Sequence, residues 1–404
     1  IFINVDIPDS AVVDGFTISH AYEDITNMHG LYTRGAAMHN EETSLMISNC
    51  VFSNNYTYKS GGAVHNTAGP DYITFNMKFD NCFFFNNSAV SSGGAVSGSN
   101  SFILIFRDCS FINNTSEGTS VVDTYGGPDY ILSEFYNCLI YGNHSETGAC
   151  MCLSRSNGFS PTDKSLKIIN CTFAKNTSIT GTGGIDLFNL TDLEHYAELT
   201  NSVFYLNDSD DIYIADELAL PDINNCAVEG GISIPFYGEA NINLSPNNSG
   251  DPNSPYFSDP DNDYWWIQEH SPLRNAGIWT NDVPLYDLAG FTRDAIPDIG
   301  CYEYDPTSIE ESDNILPLTT ELFQNYPNPF NPVTNIKFDL SKTGKVELSV
   351  YNIAGQLVKK LVDKKMPAGY HSVRFVANDL NSGLYYYTLK TSDKKLTRKM
   401  LMVK

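Results

Sequence analysis

Short apolar alternations recur along the first two thirds of the chain, and each ends in the same polar phrase. Leu45-x-Ile47 leads into Asn49-Cys-Val-Phe-Ser-Asn-Asn55, and Leu166-x-Ile168 leads into Asn170-Cys-Thr-Phe-Ala-Lys-Asn176. The phrase also stands at Asn81–Asn87, Asp108–Asn114, Asn137–Asn143 and Asn201–Asn207, with an echo at Asn225-Cys-Ala-Val228. Between these copies lie Gly61-Gly-Ala-Val64, Gly93-Gly-Ala-Val96, Gly148-Ala-Cys150 and Gly183-Gly-Ile185. Alternation with period two over three to five residues predicts short strands, and the Gly and Asn between them predict bends. From Cys50 through Cys82, Cys109, Cys138, Cys171 and Ser202 to Cys226 the steps are 32, 27, 29, 33, 31 and 24 residues. That period predicts a solenoid. No copy contains a helical period, so the helix-containing solenoids are excluded.

The phrase has a physical reading. Asn tolerates the left-handed backbone of a sharp bend, as does Gly. Coils stacked about 4.8 Å apart place each Asn over the last, where the amides hydrogen-bond along the stack. The Cys and Phe that follow are expected to point into the bore. The cysteines are read as a buried thiol stack: nine is an odd number, and parallel in-register side chains rarely offer disulfide geometry. Cys150 and Cys152 are read as core in the same way.

These phrases resemble the right-handed parallel β-helix superfamily, and in particular the repeats of polymorphic outer-membrane proteins and related bacterial surface β-helices. Residues 251 to 305 differ in character. The order Asp251-Pro252, Asp259-Pro260, Ser271-Pro-Leu273, Asn275-Ala-Gly277, Arg293 and Asp298-Ile-Gly-Cys-Tyr-Glu-Tyr304 resembles the closing segment of secreted β-helix proteins of the choice-of-anchor type. A cap over the last coil is expected here, with Trp265, Trp266 and Trp279 as core residues. Asp259, Asp261 and Asp263 alternate as oxygen ligands and are candidate calcium ligands, although the Gly and Glu of an EF-hand loop are absent.

A linker over 306–317 precedes a second unit, 318–404. Alternating runs at Ile336–Leu340, Val346–Tyr351, Val373–Phe375 and Leu384–Leu389 predict an Ig-like antiparallel β-sandwich. Gln324-Asn-Tyr-Pro-Asn-Pro-Phe-Asn-Pro332, Val350-Tyr-Asn-Ile-Ala-Gly-Gln356, Leu380-Asn-Ser-Gly-Leu-Tyr385 and Lys399-Met-Leu-Met-Val-Lys404 resemble the type IX sorting domain of Bacteroidetes, more fully than they resemble flagellar hook-cap Ig-like domains. The resemblance implies export by the type IX secretion machinery through residues 318–404, and an extracellular or outer-surface location. The predicted fold class is therefore all-β: a right-handed parallel β-helix over 1–305, then the sandwich.

Charge supports the division. Residues after 315 hold 14 of the 24 Lys and Arg but 6 of the 48 Asp and Glu, so the tail carries +8 and the body −32. Such a body repels nucleic acid and anionic membranes. No apolar run reaches the roughly 20 residues of a membrane span. The chain opens on Ile1 without a charged n-region and apolar h-region, so a signal peptide is expected to have been removed or the N-terminus truncated.

Many β-helices are polysaccharide lyases or glycoside hydrolases of the pectin-lyase-like superfamily, and this is the alternative function. None of the ten basic residues of the body sits in a lyase phrase, and the Gly-His-Gly and Arg-x-Lys companions of the hydrolases are missing. Asp208, Asp210 and Asp211 are read as solvated loop carboxylates. His39 and His65 follow Ala-Ala-Met and Gly-Ala-Val, so they should share a coil face, where a polar outer surface is expected. The expected function is non-catalytic: adhesion, glycan contact or self-association outside the cell.

Overall fold

The computed structural model describes residues 2–3, 11–22, 35–67, 75–99, 102–126, 132–155, 166–188, 197–208, 211–214, 220–246, 250–260, 264–304, 319–325, 328, 330, 333–377 and 380–402. The chain forms two compact units. The first is a parallel β-solenoid built of four sheets. An eight-stranded sheet runs from Phe2–Ile3 to Ile212–Ile214, a nine-stranded one from Thr17–Ser19 to Ile242–Leu244, and another of eight from Val12–Asp14 to Asp222–Asn224. The fourth has five strands of two residues, from Tyr56–Thr57 to Thr177–Ser178.

The repeated phrase fixes the cross-section. The leading Asn or Asp at 49, 81, 108, 137, 170, 201 and 225 takes a left-handed bend, with φ between 49° and 53°. Cys50, Cys82, Cys109, Cys138, Cys171 and Cys226 then turn inward as free, fully buried thiols, and Ser202 holds the same rung. Phe52, Phe84 and Phe111 pair in strict register and stack, with centroids 5.1 and 4.7 Å apart. Phe79, Phe106 and Phe135 form a second column at 4.8 Å spacing, meeting the first edge to face. Each such pair adds about 0.5–1.5 kcal/mol beyond its buried area.

A second bend follows at Asn54, Asn86, Asn113, Gly142, Lys175 and Leu206, again at positive φ. The Asn after it is buried and forms a ladder. Asn55 Nδ2 donates to Asn87 Oδ1 (2.8 Å), Asn87 to Asn114 (2.9 Å), Asn114 to Asn143 (3.0 Å), Asn143 to Asn176 (3.0 Å) and Asn176 to Asn207 (2.9 Å). Each Nδ2 also donates to a main-chain carbonyl, as Asn87 does to Phe52 (2.9 Å). Asp211 ends the ladder, accepting from Asn207 at 2.7 Å. It is buried, unlike exposed Asp208, which corrects the expectation that it is a solvated loop carboxylate. Asp210 lies outside the described residues.

The closing segment runs back along the flank instead of lying across the last coil. Asn225 Nδ2 donates to Ala276 O (2.8 Å), Asn201 to Ile278 O (2.9 Å) and Asn170 to Asp298 O (3.2 Å). The leading bends leave their amides pointing outward, and the segment satisfies them. Arg293 is sealed beneath it in an ion pair with Glu303. Trp265 is buried against Tyr141 and Phe257, but Trp279 is 37% exposed, so it is not the core residue expected of it. Ile232, Ile234 and Phe236 add partly buried apolar side chains against the solenoid core.

The second unit pairs an antiparallel sheet of three strands (Glu321–Leu322, Val333–Leu340, Gly369–Val376) with one of four (Leu357–Met366, Gly344–Asn352, Gly383–Lys390, Lys395–Met402). One core joins them: Ile336, Phe338 and Phe375 from the first, Leu348, Val350 and Tyr387 from the second. Among the described residues no helix is long and apolar enough to cross a membrane.

Candidate functional site

Three places on the chain gather chemistry. The first is a column of the eight-stranded sheet that begins at Phe2, where His39, His65, Ser97, Asp123 and Asp186 stand in register, with the backbone of Cys152 between the last two. Their neighbours Met38, Val64, Val96, Val122, Met151 and Ile185 face the core. His39 and His65 do share a face, with ring centroids 5.5 Å apart. They are not on an open polar surface, however: they are 7% and 1% exposed. The reason is the glycine turn before each strand. A Cβ on Gly35 or Gly61, both at φ +77°, would stand 2.9 Å from the His65 Cβ, so the turn backbone lies directly on the column. Both His65 nitrogens are engaged, Nδ1 with Ser97 Oγ (3.1 Å) and Nε2 with Thr67 Oγ1 (2.7 Å). Burial pushes the Asp123 carboxyl up, against the pull of the Ser92 and Ser120 hydroxyls. It also raises Asp186, which accepts from Thr182 Oγ1 at 2.7 Å. Cys150 is a buried core thiol as expected; the side chain of Cys152 lies outside the described residues.

The second place is the outer face of the five-stranded sheet. The residue after each of five ladder Asn residues points outward here, giving the column Tyr56, Ser88, Thr115, His144 and Thr177, and Tyr22 extends it by an isolated bridge to Tyr56. Tyr22 is 65% exposed and stacks on Tyr56 at 5.2 Å; Tyr58 meets Tyr56 edge-on at 5.4 Å. Thr115 Oγ1 donates to Ser88 Oγ (2.9 Å), and His144 Nδ1 pairs with Thr177 Oγ1 (2.8 Å). At about 4.8 Å per rung the column is about 24 Å long. Sequence reasoning concentrated on carboxylates and metal ligands and passed over it. The signal was there: an uncharged hydrogen-bonding residue directly after Asn55, Asn87, Asn114, Asn143 and Asn176, giving way to Asp208 after Asn207.

The candidate calcium ligands are not brought to view. Asp261, Asp263 and the side chain of Asp259 lie outside the described residues; the Asp259 backbone ends the strand Phe257–Asp259. Among the described residues no group of three His, Cys, Asp or Glu side chains is placed to hold a metal ion. His20 and His270 are exposed, His371 stacks on Phe338 at 5.3 Å, and His195 lies outside the described residues.

The third place is the C-terminal unit. Its leading phrase holds the final strands together. Gln324 Nε2 donates to Lys399 O (2.7 Å), Asn325 N to Tyr387 Oη (2.7 Å) and Leu401 N to Asn328 Oδ1 (2.7 Å). Tyr387 Oη in turn donates to Phe323 O (2.7 Å), and its burial raises its pKa. The phrase acts as a clasp on the strands that close the domain, which explains why a signature of side-chain amides sits so far from the strands it serves.

Residues 324–404 match the family described as a secretion system C-terminal sorting domain. No curated protein and no solved structure matches the chain. The sorting domain implies interaction with the secretion machinery. The chain is thus a parallel β-solenoid carrying a type IX C-terminal sorting domain, which marks it for secretion to the extracellular space or the cell surface.

Proposed function

We propose that this is a non-catalytic surface protein whose solenoid flank makes adhesive contact with extracellular glycans. The observation that carries the reading is the outer column from Tyr22 to Thr177, exposed at Tyr22 and Thr115 and half-buried elsewhere: a regular row of phenol, hydroxyl and imidazole groups on a chain that is sent out of the cell. Rungs tied by the Asn ladder hold that row at fixed spacing, so a repeating ligand meets a repeating surface. The engagement of Asp186 and Asp211 in hydrogen bonds within the fold supports a structural duty for these carboxylates. A glycan array probed with the full chain tests the reading, with calcium added and then chelated to include Asp259, Asp261 and Asp263. Binding to one class of glycan supports it; no binding in either condition overturns it.

One observation favours hydrolysis as a second reading. Asp123 and Asp186 stand two rungs apart in the buried column, about 9.6 Å between Cα atoms, near the carboxyl separation of inverting glycosidases, and both are held toward the protonated form. Incubation with pectin, alginate and neutral glucans, followed by assay for reducing or unsaturated ends, decides between the two. Activity lost in both Asp123→Asn and Asp186→Asn would replace the adhesive reading.

A further inference from the structure

We infer that the column Tyr22, Tyr56, Ser88, Thr115, His144 and Thr177 is a binding strip for a single extended, uncharged polysaccharide chain lying along the solenoid axis. The inference rests on the glycan reading above and names the ligand class and the residues that take it.

Three features of the strip define the ligand. First, its six positions hold no carboxylate, lysine or arginine, although it lies on a body of −32. The charged groups beside it are Glu117 and Glu146, both exposed and set two residues beyond Thr115 and His144; exposed Asp208, which follows the ladder on the next rung after Thr177; Lys175 on the adjoining bend; and exposed Lys59, three residues beyond Tyr56. The three carboxylates accept hydrogen bonds from sugar hydroxyls and repel carboxylate or sulfate groups. A polyanion is disfavoured by the field of the whole body, and a neutral polymer is not.

Second, the donors and acceptors repeat. Ser88, Thr115 and Thr177 present one hydroxyl per rung. Each hydroxyl has one donor and two acceptor sites, so the bonds within the strip leave capacity for a ligand. On the adjoining bend Asn54, Asn86 and Asn113 add exposed side-chain amides. A polymer of hydroxylated rings offers a matching row of donors and acceptors along its length, which a lipid does not.

Third, one end is aromatic. Tyr22, Tyr56 and Tyr58 form a cluster in which Tyr22 and Tyr58 are 65% and 39% exposed. The Tyr22–Tyr56 stack holds the Tyr22 ring in a fixed orientation. An exposed ring face accepts the C–H face of a pyranose, while each phenol oxygen hydrogen-bonds its hydroxyls. Aromatic and hydroxyl groups in one line suit a ligand with both apolar faces and polar edges. A length of about 24 Å accommodates several sugar units at once, so weak contacts per unit sum along the strip.

The test is affinity electrophoresis of the full chain through gels containing hydroxyethylcellulose, glucomannan or xylan, against gels containing polygalacturonate or alginate. Retardation by at least one neutral polymer is expected, with none by the polyuronates. Tyr22→Ala with Tyr58→Ala should weaken retention at least tenfold, and Thr115→Arg should abolish it by laying a long side chain across the middle. Lys78→Ala, on another sheet, should leave it unchanged. These four residues are exposed, and circular dichroism of each variant verifies the fold. Retardation that survives the strip variants overturns the strip but not the glycan reading. Retardation by polyuronates alone overturns the neutral ligand and keeps the glycan reading. No retardation in any gel, with no array binding, overturns both.

Discussion

The guanidinium of Arg293 reaches Asn137, 156 residues earlier in the chain: Nη2 lies 2.6 Å from the Asn137 Oδ1. Asn137 is one of the left-handed bends of the solenoid, and its Nδ2 donates onward to Asp108 Oδ1 at 3.0 Å. Arg293 also holds buried Glu303 and donates to the Gly300 carbonyl at 3.2 Å, so one cation gathers a bend and the closing segment that covers it.

Breaking this ion pair should be costly, because Glu303 is 3% exposed and would be left as a lone buried charge. Arg293→Met is expected to lose about 3–5 kcal/mol, and Arg293→Lys should recover little, since one ammonium cannot span the same three acceptors. Urea unfolding measures the loss. Limited proteolysis should show new cleavage within residues 273–303 first.

The Asn ladder makes a sharper distinction between neighbours. Asn114 is fully buried and makes ladder bonds on both sides, whereas Asn113 is exposed at φ 52°. Asn114→Ala should cost about 1–3 kcal/mol or more by leaving buried partners unsatisfied. Asn113→Gly, which keeps the left-handed bend available, should change stability by less than about 0.5 kcal/mol. Equal effects in thermal unfolding would refute the ladder as a source of stability.

Asp108 occupies a bend where most other coils have Asn. Burial raises its carboxyl from 3.8 to about 6, partly offset by the hydrogen bond from Asn137. The folded chain therefore keeps a proton that the unfolded chain releases between those values, and stability falls as pH rises across that window. Asp108→Asn removes the penalty. The variant should be more stable by about 1–3 kcal/mol above pH 6, with the gain shrinking to nothing below about 3.8. A gain independent of pH would disprove the assignment.

The buried thiols should be silent in the native state. Burial pushes Cys226 up to about 12 and raises Cys150 further. Thiol titration with a colored disulfide reagent should count none of the core cysteines before denaturant and all of them after it. Cys109→Ser should be tolerated at a cost of about 1–2 kcal/mol, because Ser202 already fills the equivalent position of its own coil and donates to the Thr200 carbonyl at 3.0 Å.

The repeat was legible because each coil repeats one local problem. A left-handed Asn, an inward Cys and a phenyl two residues on recur at a spacing that only stacked coils explain. What the period could not give was contact between distant segments. The flank packing of residues 273–303 links Arg293 to Asn137, and no local pattern encodes that distance. The shared face of His39 and His65 followed from their phrases, but their burial depended on the backbone of Gly35 and Gly61 lying over them. In the sorting domain the strand Leu357–Met366 escaped notice because Lys359, Lys360, Lys364 and Lys365 interrupt its alternation. It is a largely exposed edge strand, where lysine guards against pairing with other chains.

Ile232, Ile234 and Phe236 pack against the solenoid core with side chains from outside the repeated phrase. Rod length is thereby separated from rod termination. The closing segment ties together the coils from Asn137 to Asn225, so whole rungs upstream of these are the ones a lineage can gain or lose without rebuilding the terminus. Any row of groups along the flank grows or shrinks in step, so the reach of the surface could change by duplication alone.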